Sequence, residues 1–463
     1  MSHVAYLIPT IDRIGGAERQ VIELATGFAS RGWRTSAIAL SGTGGDAAAA
    51  LTSRDVSFHS LAMRKGLADP RGWSCLHQWI RREKPDILHA HLPHAALLAR
   101  WSRLAVKIPA VVDTIHTPAT GGLLRRFGYC ISQELPDLVT AVSRAAAQAW
   151  LAAGIVNDTK FIQIPNCVNI HVWKRVDRIR SEIRRELNIA DEFLWIAAGR
   201  LEPVKDHETL LRAMVQLPCN SRLIIAGAGP LDYHLRTLSD QLGLGTRVRF
   251  LGFEPNLVRW MQAADGMVLS SRWEGLPMVL LEACACELPS VVTDIPGARE
   301  ILPDPGYPFI APVGDPDRLA AAMTSLMRTA ESERHHVGRQ LRDSVAARFG
   351  LDIVLQQWEH LYRNLLDNRS SRKHSAQLSL KQYSPAPVPE KDQSADRPKR
   401  GCEGDSGDAK HAHQHQVQND VEHEIQQSAV KHKICPPHRN QEAVKDATTY
   451  EERNLQRVHP QHG

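Results

Sequence analysis

No stretch of the 463-residue sequence reaches the roughly 18 apolar residues that a membrane-crossing helix requires. A chain built around helical spans is thereby excluded. The opening segment, MSHVAYLIPTIDRIG, lacks the basic start and long apolar core of a secretory signal. The eight cysteines are scattered, with Cys284 and Cys286 alone close together, and their spacing contains no disulfide framework. Reduced thiols in a cytoplasmic protein are expected. A large charge of one sign is missing too. The formal net charge of +5 argues against nucleic acid as a partner, and it suits an acidic small-molecule substrate or a weak attraction to anionic lipid. Tryptophan and phenylalanine are absent after residue 358, where Gln, His, Ser, Lys, Asp and Pro take over. Such a segment buries too little apolar surface to offset its chain entropy, so residues 368–463 are expected to be a disordered polar tail. Its His411, His413 and His415 read as an incidental polar repeat.

What remains, residues 1–367, has a strong rhythm. Short runs rich in Val, Ile and Leu (HVAYLIP, PDILHAH, PAVVDTIH, DLVTAVS) each precede an amphipathic stretch. After residue 190 the rhythm restarts with EFLWIAAG, SRLIIAG, DGMVLS and LPSVVTD. Continuous apolar strands alternating with helices indicate parallel sheets covered on both faces. Two such series, divided by the polar stretch at 166–190, predict two doubly wound α/β domains, residues 1–170 and 171–350. A last helix over 351–367 is expected to cross back onto the first domain. A ligand is expected in the cleft at the carboxyl ends of the strands.

Four motifs carry candidate chemistry. In TIDRIGGAERQVIELA a strand ends, Gly15 and Gly16 turn the chain, and a helix start offers free N–H groups to an anion. In AGAGPLDYHL the pair Gly227 and Gly229 follows a strand, but Asp232 stands where a dinucleotide fingerprint needs a third glycine, so a dehydrogenase is disfavoured. In AAGRLEPVKDHETLLRA a buried strand delivers Arg200 and then Lys205 at a sheet edge, a clamp suited to a diphosphate, with Asp206 placed to cap the next helix. In SRWEGLPMVLLEACA, Pro277 suits the first turn of a helix, leaving Glu274 in the loop before it and Glu282 in its second turn. Eight residues of helix would span about 12 Å, close to the distance from a sugar to a ribose across a diphosphate. The amides of Gly275, Leu276 and Met278 lie between the two carboxylates, so acceptors for hydroxyl groups flank an anion site. Each motif also has a plainer reading: solvated loop cations, or glutamates serving a helix dipole and a buried ion pair.

Taken together and in order, GGAER, AVSRA, IPNCVN, GRLEPVKD, IIAGAGPL, VRFLGFEPN and EGLPMVLLE resemble the retaining glycosyltransferases of family 4, with the two-domain GT-B fold, over roughly residues 3–365. The resemblance implies a set of roles. Arg200 and Lys205 match the pair that binds the donor diphosphate. Glu282 matches the carboxylate that holds the ribose hydroxyls, and Glu274 the one beside the transferred sugar. Gly16 closes on the phosphates from the other domain. His116 matches a histidine that enters the cleft near the donor sugar, and Phe253 and Glu254 stand where the backbone meets the base. It further implies a nucleotide-sugar donor, most readily a UDP-sugar, a glycan or lipid-linked acceptor, no cofactor and no metal. The acceptor belongs to the first domain and the donor to the second, in polysaccharide or lipopolysaccharide synthesis. Peripheral contact with the inner face of the membrane is compatible with GGLLRRFGYCISQEL, although an ordinary amphipathic helix is the plainer reading there. The hinge departs from the family pattern: Cys167 replaces a glycine, and a left-handed cysteine there would cost about 1–2 kcal/mol. His89, His91 and His94 are expected to line the acceptor cleft or pack, since no carboxylate or cysteine completes a zinc set. Two other readings stand beside the transferase: a GT-B nucleotide-sugar epimerase, and a non-catalytic nucleotide-sugar-binding or scaffold protein.

Overall fold

The computed structural model describes residues 1–64, 69–302 and 306–371, with side chains as far as residue 367; the expected tail and its histidine run lie outside the described residues. Among these residues the first sheet contains β1 (His3–Ile8), β2 (Arg34–Ala39), β3 (Val56–Ser60), β4 (Ile87–His91), β5 (Ala110–Ile115), β6 (Leu138–Ala141) and β7 (Phe161–Gln163). The second contains β8 (Phe193–Ala198), β9 (Ser221–Ala226), β10 (Val248–Gly252), β11 (Gly266–Leu269), β12 (Ser290–Thr293) and β13 (Ile310–Ala311). The spatial orders are β3-β2-β1-β4-β5-β6-β7 and β10-β9-β8-β11-β12-β13, all neighbours parallel. This is the doubly wound pair of Rossmann-like sheets that the apolar runs predict, and the two sheets belong to one compact unit.

Helices α1 (Gly16–Ser30), α2 (Gly45–Thr52), α3 (Pro70–Glu83), α4 (Pro93–Ser102), α5 (Leu123–Ile131) and α6 (Arg144–Ala152) accompany the first sheet. Accompanying the second are α7 (Asp177–Glu186), α8 (His207–Gln216), α9 (Asp232–Gln241), α10 (Leu257–Ala263), α11 (Met278–Ala285), α12 (Pro296–Arg299), α13 (Pro316–Arg328) and α14 (Glu331–Phe349). The last helix, α15 (Leu351–Ser371), returns to the first sheet. There Val354, Leu355, Trp358, Leu361 and Tyr362 complete the core that Tyr6, Leu24 and Phe28 begin. A second cluster fills the sheet's opposite face under α3 to α6, and a third surrounds the second sheet.

Two local expectations change. The polar stretch at 166–190 contains a helix, α7, of which Ile183 alone is buried. Its arginines hold it in place, with Arg180 and Arg184 gripping opposite oxygens of Asp265 at 2.5 and 2.8 Å. Charge pairing here does what apolar periodicity does elsewhere, which is why the stretch reads only as polar. The hinge carries no left-handed residue at Cys167. Its N–H instead donates to Gln20 Oε1 at 2.9 Å, while Val168 bridges to Gly350 in parallel register. The anticipated strain at Cys167 therefore does not arise.

Candidate active site

The loops at the carboxyl ends of the two sheets meet. After β1 the chain turns at Gly15, whose N–H donates to Glu18 Oε2 at 3.1 Å, and α1 begins at Gly16. Opposite stands the start of α11, capped by no side chain. A Cβ on Gly16 would lie 3.2 Å from Met278 Cγ, so the two helix starts face each other at van der Waals range. Gly275 comes closer still: a Cβ there would sit 2.1 Å from the backbone oxygen of His116. Only glycine lets that loop reach the end of β5. The amide side chain of Asn166 donates to the Leu276 carbonyl at 3.3 Å, tying the hinge to the same loop.

Charges sit on this framework in a definite order. Lys205, at the end of a short turn after β8, ion-pairs with Glu274, and the Ser271 hydroxyl donates to the same oxygen, Oε1, at 2.8 Å. Both partners are largely shielded. Arg200 is different: its side chain is 72% exposed, and it pairs with Glu202 at 2.5 Å, so its charge faces solvent and is screened more than that of Lys205. Asp206 caps α8 as expected, accepting from the Thr209 N–H at 3.4 Å. Glu282 is buried on α11, and burial pushes its carboxyl up to about 7 despite Arg19. Arg19 Nε approaches Glu282 Oε1 at 2.8 Å, but off the hydrogen-bond direction, so that oxygen has no aligned donor. A buried carboxylate short of donors is suited to paired hydroxyls. Phe253, half-exposed, and Glu254, which accepts from the Asn256 N–H at 2.8 Å, follow β10 as expected.

The structure therefore brings Gly16, His116, Lys205, Glu274, Gly275, Leu276, Met278 and Glu282 together. Arg200 stands at the mouth, and Phe253 and Glu254 lie on the loop after β10. Sequence reasoning missed Arg19, whose signal was its place one turn into α1 after the glycine pair. It also missed Glu300, whose carboxylate accepts from the N–H groups of Arg144 and Ala145 at 3.0 and 3.1 Å, capping α6 from the other lobe. The glycines at 227 and 229 let the loops after β8 and β9 zip together, through Gly199 N–H to Ala226 and Leu201 N–H to Ala228. Of the three histidines, His89 and His91 are spent on internal partners, and no group of three metal-ligating side chains occurs among the described residues.

Two facing Rossmann-like sheets, with a Glu-Gly-Leu-Pro helix start of one pressed against the glycine turn and histidine of the other, define a GT-B glycosyltransferase. The family model for glycosyltransferase family 4 matches residues 14–172, and that for glycosyl transferases group 1 matches residues 179–343. Together they take in most of the chain before the tail, and the chain belongs to this family of glycosyltransferases. It is 27% identical over 306 residues to an N-acetyl-alpha-D-glucosaminyl L-malate synthase of Bacillus anthracis, covering 62% of this chain and 76% of that one. It is 28% identical over 341 residues to the lipopolysaccharide core biosynthesis glycosyltransferase LpsE of Rhizobium meliloti, covering 72% and 93%. The solved structure of Anabaena HepE in complex with UDP and glucose shares the fold with a TM-score of 0.70 and 20% identity, covering 79% of this chain and all of that one.

Proposed function

We propose that this glycosyltransferase moves a sugar, with retention, from a nucleotide-sugar donor to a lipid-linked glycan acceptor in surface polysaccharide or lipopolysaccharide synthesis. The observation that carries the donor half is the segment from Glu274 to Glu282, with one carboxylate held by Lys205 and the other buried and short of donors, on either side of an open helix start. The diphosphate sits over the amides of Gly275, Leu276 and Met278, Glu282 receives the ribose hydroxyls, and Glu274 receives the sugar. Phe253 and Glu254 border the base. As the bond from sugar C1 to the phosphate oxygen breaks, its electron pair stays on the leaving diphosphate. Lys205, Arg200 and the amides stabilise that charge by fixed positive potential. The acceptor hydroxyl bonds to C1 on the same face and passes its proton to the departing phosphate oxygen. Glu274 is not required as a nucleophile in this scheme, and the cations supply the role that a metal would otherwise fill.

The acceptor half rests on α5. Similar relatives act, by their names, on a small acid and on lipopolysaccharide core, and what favours the second here is the surface of this helix. Leu123, Leu124, Phe127 and Ile131 are each more than half exposed, along one face of a nine-residue helix that also carries Arg125 and Arg126. Beside it a largely apolar groove of about 520 Å³ runs between Pro93, His94, Leu97 and Gly122, at the carboxyl ends of β4 and β5. Exposed apolar area flanked by cations fits an anionic lipid surface. No helix among the described residues is long and apolar enough to cross a membrane, so the proposed contact is peripheral, at the cytoplasmic face.

The test is release of nucleoside diphosphate from a panel of UDP-, GDP- and ADP-sugars, beginning with UDP-glucose. One donor should be turned over, at a rate that EDTA leaves unchanged and that glycolipid extract increases. Conversion of the donor into a second nucleotide sugar, with no acceptor and no net release of nucleoside diphosphate, would support an epimerase, and binding without turnover a scaffold. A Leu124→Glu, Phe127→Glu variant should lose sedimentation with phosphatidylglycerol vesicles while keeping donor hydrolysis; unchanged sedimentation would sink the lipid contact.

A further inference from the structure

Strand β4 ends in His-Ala-His, and the alternation of a strand places His89 and His91 on one face, toward α15. His89 is held at both ring nitrogens, Nδ1 2.6 Å from the Tyr362 hydroxyl and Nε2 2.6 Å from Thr114 Oγ1. The ring of His91 lies against it, centroids 4.2 Å apart. His91 is fully buried, with Nδ1 2.9 Å from His116 Nε2 and Nε2 without a partner. His116, whose backbone oxygen faces Gly275, is half-buried at the cleft, and its own Nδ1 meets no hydrogen-bond partner among the described residues.

Counting hydrogens separates the two possible arrangements. A contact between two neutral imidazoles holds one hydrogen. Were it on His116 Nε2, His91 Nδ1 would accept, and His91 would carry its own hydrogen on Nε2, a buried N–H with nothing to donate to. With the hydrogen on His91 Nδ1, the unpartnered atom is a bare ring nitrogen, His116 Nε2 accepts, and the hydrogen of His116 sits on Nδ1. Orphaned buried N–H groups are the rarer defect. We infer that His91 is a positioning residue that locks His116 as the Nδ1–H tautomer, so that His116 offers the cleft a neutral hydrogen-bond donor for an oxygen of the bound nucleotide sugar. His116 then orients the donor and takes no proton from the acceptor. The inference rests on the donor site proposed above, but its first readout needs no turnover.

That readout is ¹⁵N–¹H correlation of the full chain labelled at histidine, with His116 assigned by loss of its signals in His116→Gln. Protonated Nδ1 and bare Nε2 on His116 are expected; protonated Nε2 in the wild-type chain overturns the inference, whatever the activity. Kinetics give the second arm. His91→Leu removes the donor and should lower kcat by about tenfold with little change in KM. His91→Asn places an amide N–H near the lost Nδ1 and should restore most of that loss together with the Nδ1–H signature. Equal losses in the two variants would reduce His91 to a packing residue. A wild-type chain with the expected tautomer but no turnover of any donor would instead overturn the transferase reading alone.

Discussion

On the second-sheet side of the cleft the charged side chains are held by partners from their own lobe: Lys205 by Glu274, Arg200 by Glu202 and Arg272 by Asp206. On the first-sheet side stand the His116 imidazole, which burial pushes down to about 4, and the charged start of α1, where Arg19 spends its charge across the gap on Glu282 and Glu18 faces Arg200. One wall is thus an electrostatic device complete in itself, ready to exchange its internal pairs for a charged ligand. The other wall supplies shape, the His116 imidazole and the charges of α1, where Arg19 reaches Glu282, and Glu18 and Glu23 lie within electrostatic range of Arg200 and Glu282 respectively. An ion pair assembled before the ligand arrives spares the site some reorganisation when it binds.

Removing a member of the charged wall should have the largest effect. Lys205→Ala deletes a cation proposed to stabilise the leaving diphosphate and leaves Glu274 with Ser271 alone, and kcat should fall by about 10²–10³-fold, as for loss of one preorganised donor to a developing oxyanion. Nucleoside diphosphate release measures it. A loss below tenfold would shift the charge-stabilising role to Arg200 and the helix amides.

Glu282 joins the walls and comes next. Its folded-state carboxyl titrates near 7, above its ordinary value of 4.5. The folded chain therefore holds this proton longer than the unfolded chain does. Its contribution to stability declines as pH rises from 4.5 to 7 and is level beyond that. Integrated, the decline amounts to at most about 3 kcal/mol. Glu282→Gln should remove that slope, read as the difference in melting temperature between pH 5 and pH 8 against wild type. The same change should weaken nucleoside diphosphate binding by about tenfold if, as proposed, Glu282 accepts the ribose hydroxyls. Equal slopes in the two proteins would show that Arg19 already neutralises the site.

The contrast between the walls also explains what could be read from sequence. The charged wall lies on two short segments, 199–206 and 271–282, so spacing along the chain stands in for spacing in space, and the placing of Glu274 in the loop and Glu282 in the second turn of α11 was legible. Both sheets were legible for a related reason, because buried parallel strands leave uninterrupted apolar runs. The contacts between the walls were not. Gly275 against His116, Arg19 against Glu282 and Glu300 on α6 join residues more than a hundred positions apart, and each exists only because the lobes close. Nothing in SRWEGLPM indicates that its glycine faces a backbone oxygen of another sheet. The tautomer logic of His91 was hidden as well, since it depends on one ring nitrogen having no neighbour. Helix α7 escaped because its anchors are arginines.

The smallest effect expected is at Glu300, and it tests whether closure can be loosened without touching the chemistry. The first amides of α6 are shared between lobes: Ser143 takes the Ala146 N–H at 3.1 Å from within, and Glu300 takes those of Arg144 and Ala145 from across the interface, where it also accepts from Gln163 Nε2 at 3.2 Å. A helix start can exchange such an external cap for water once the lobes part, so the loss should resemble that of an ordinary N-cap, about 1 kcal/mol. Glu300→Ala should then lower the melting temperature by roughly 1–2 °C. Because the charged wall is intact, kcat should hold, while donor KM rises by about twofold to threefold as the closed arrangement becomes less populated. A fall in kcat with KM unchanged would mean that Glu300 shapes the reacting geometry itself, and the separation between a self-contained charged wall and a closing wall would fail at this residue.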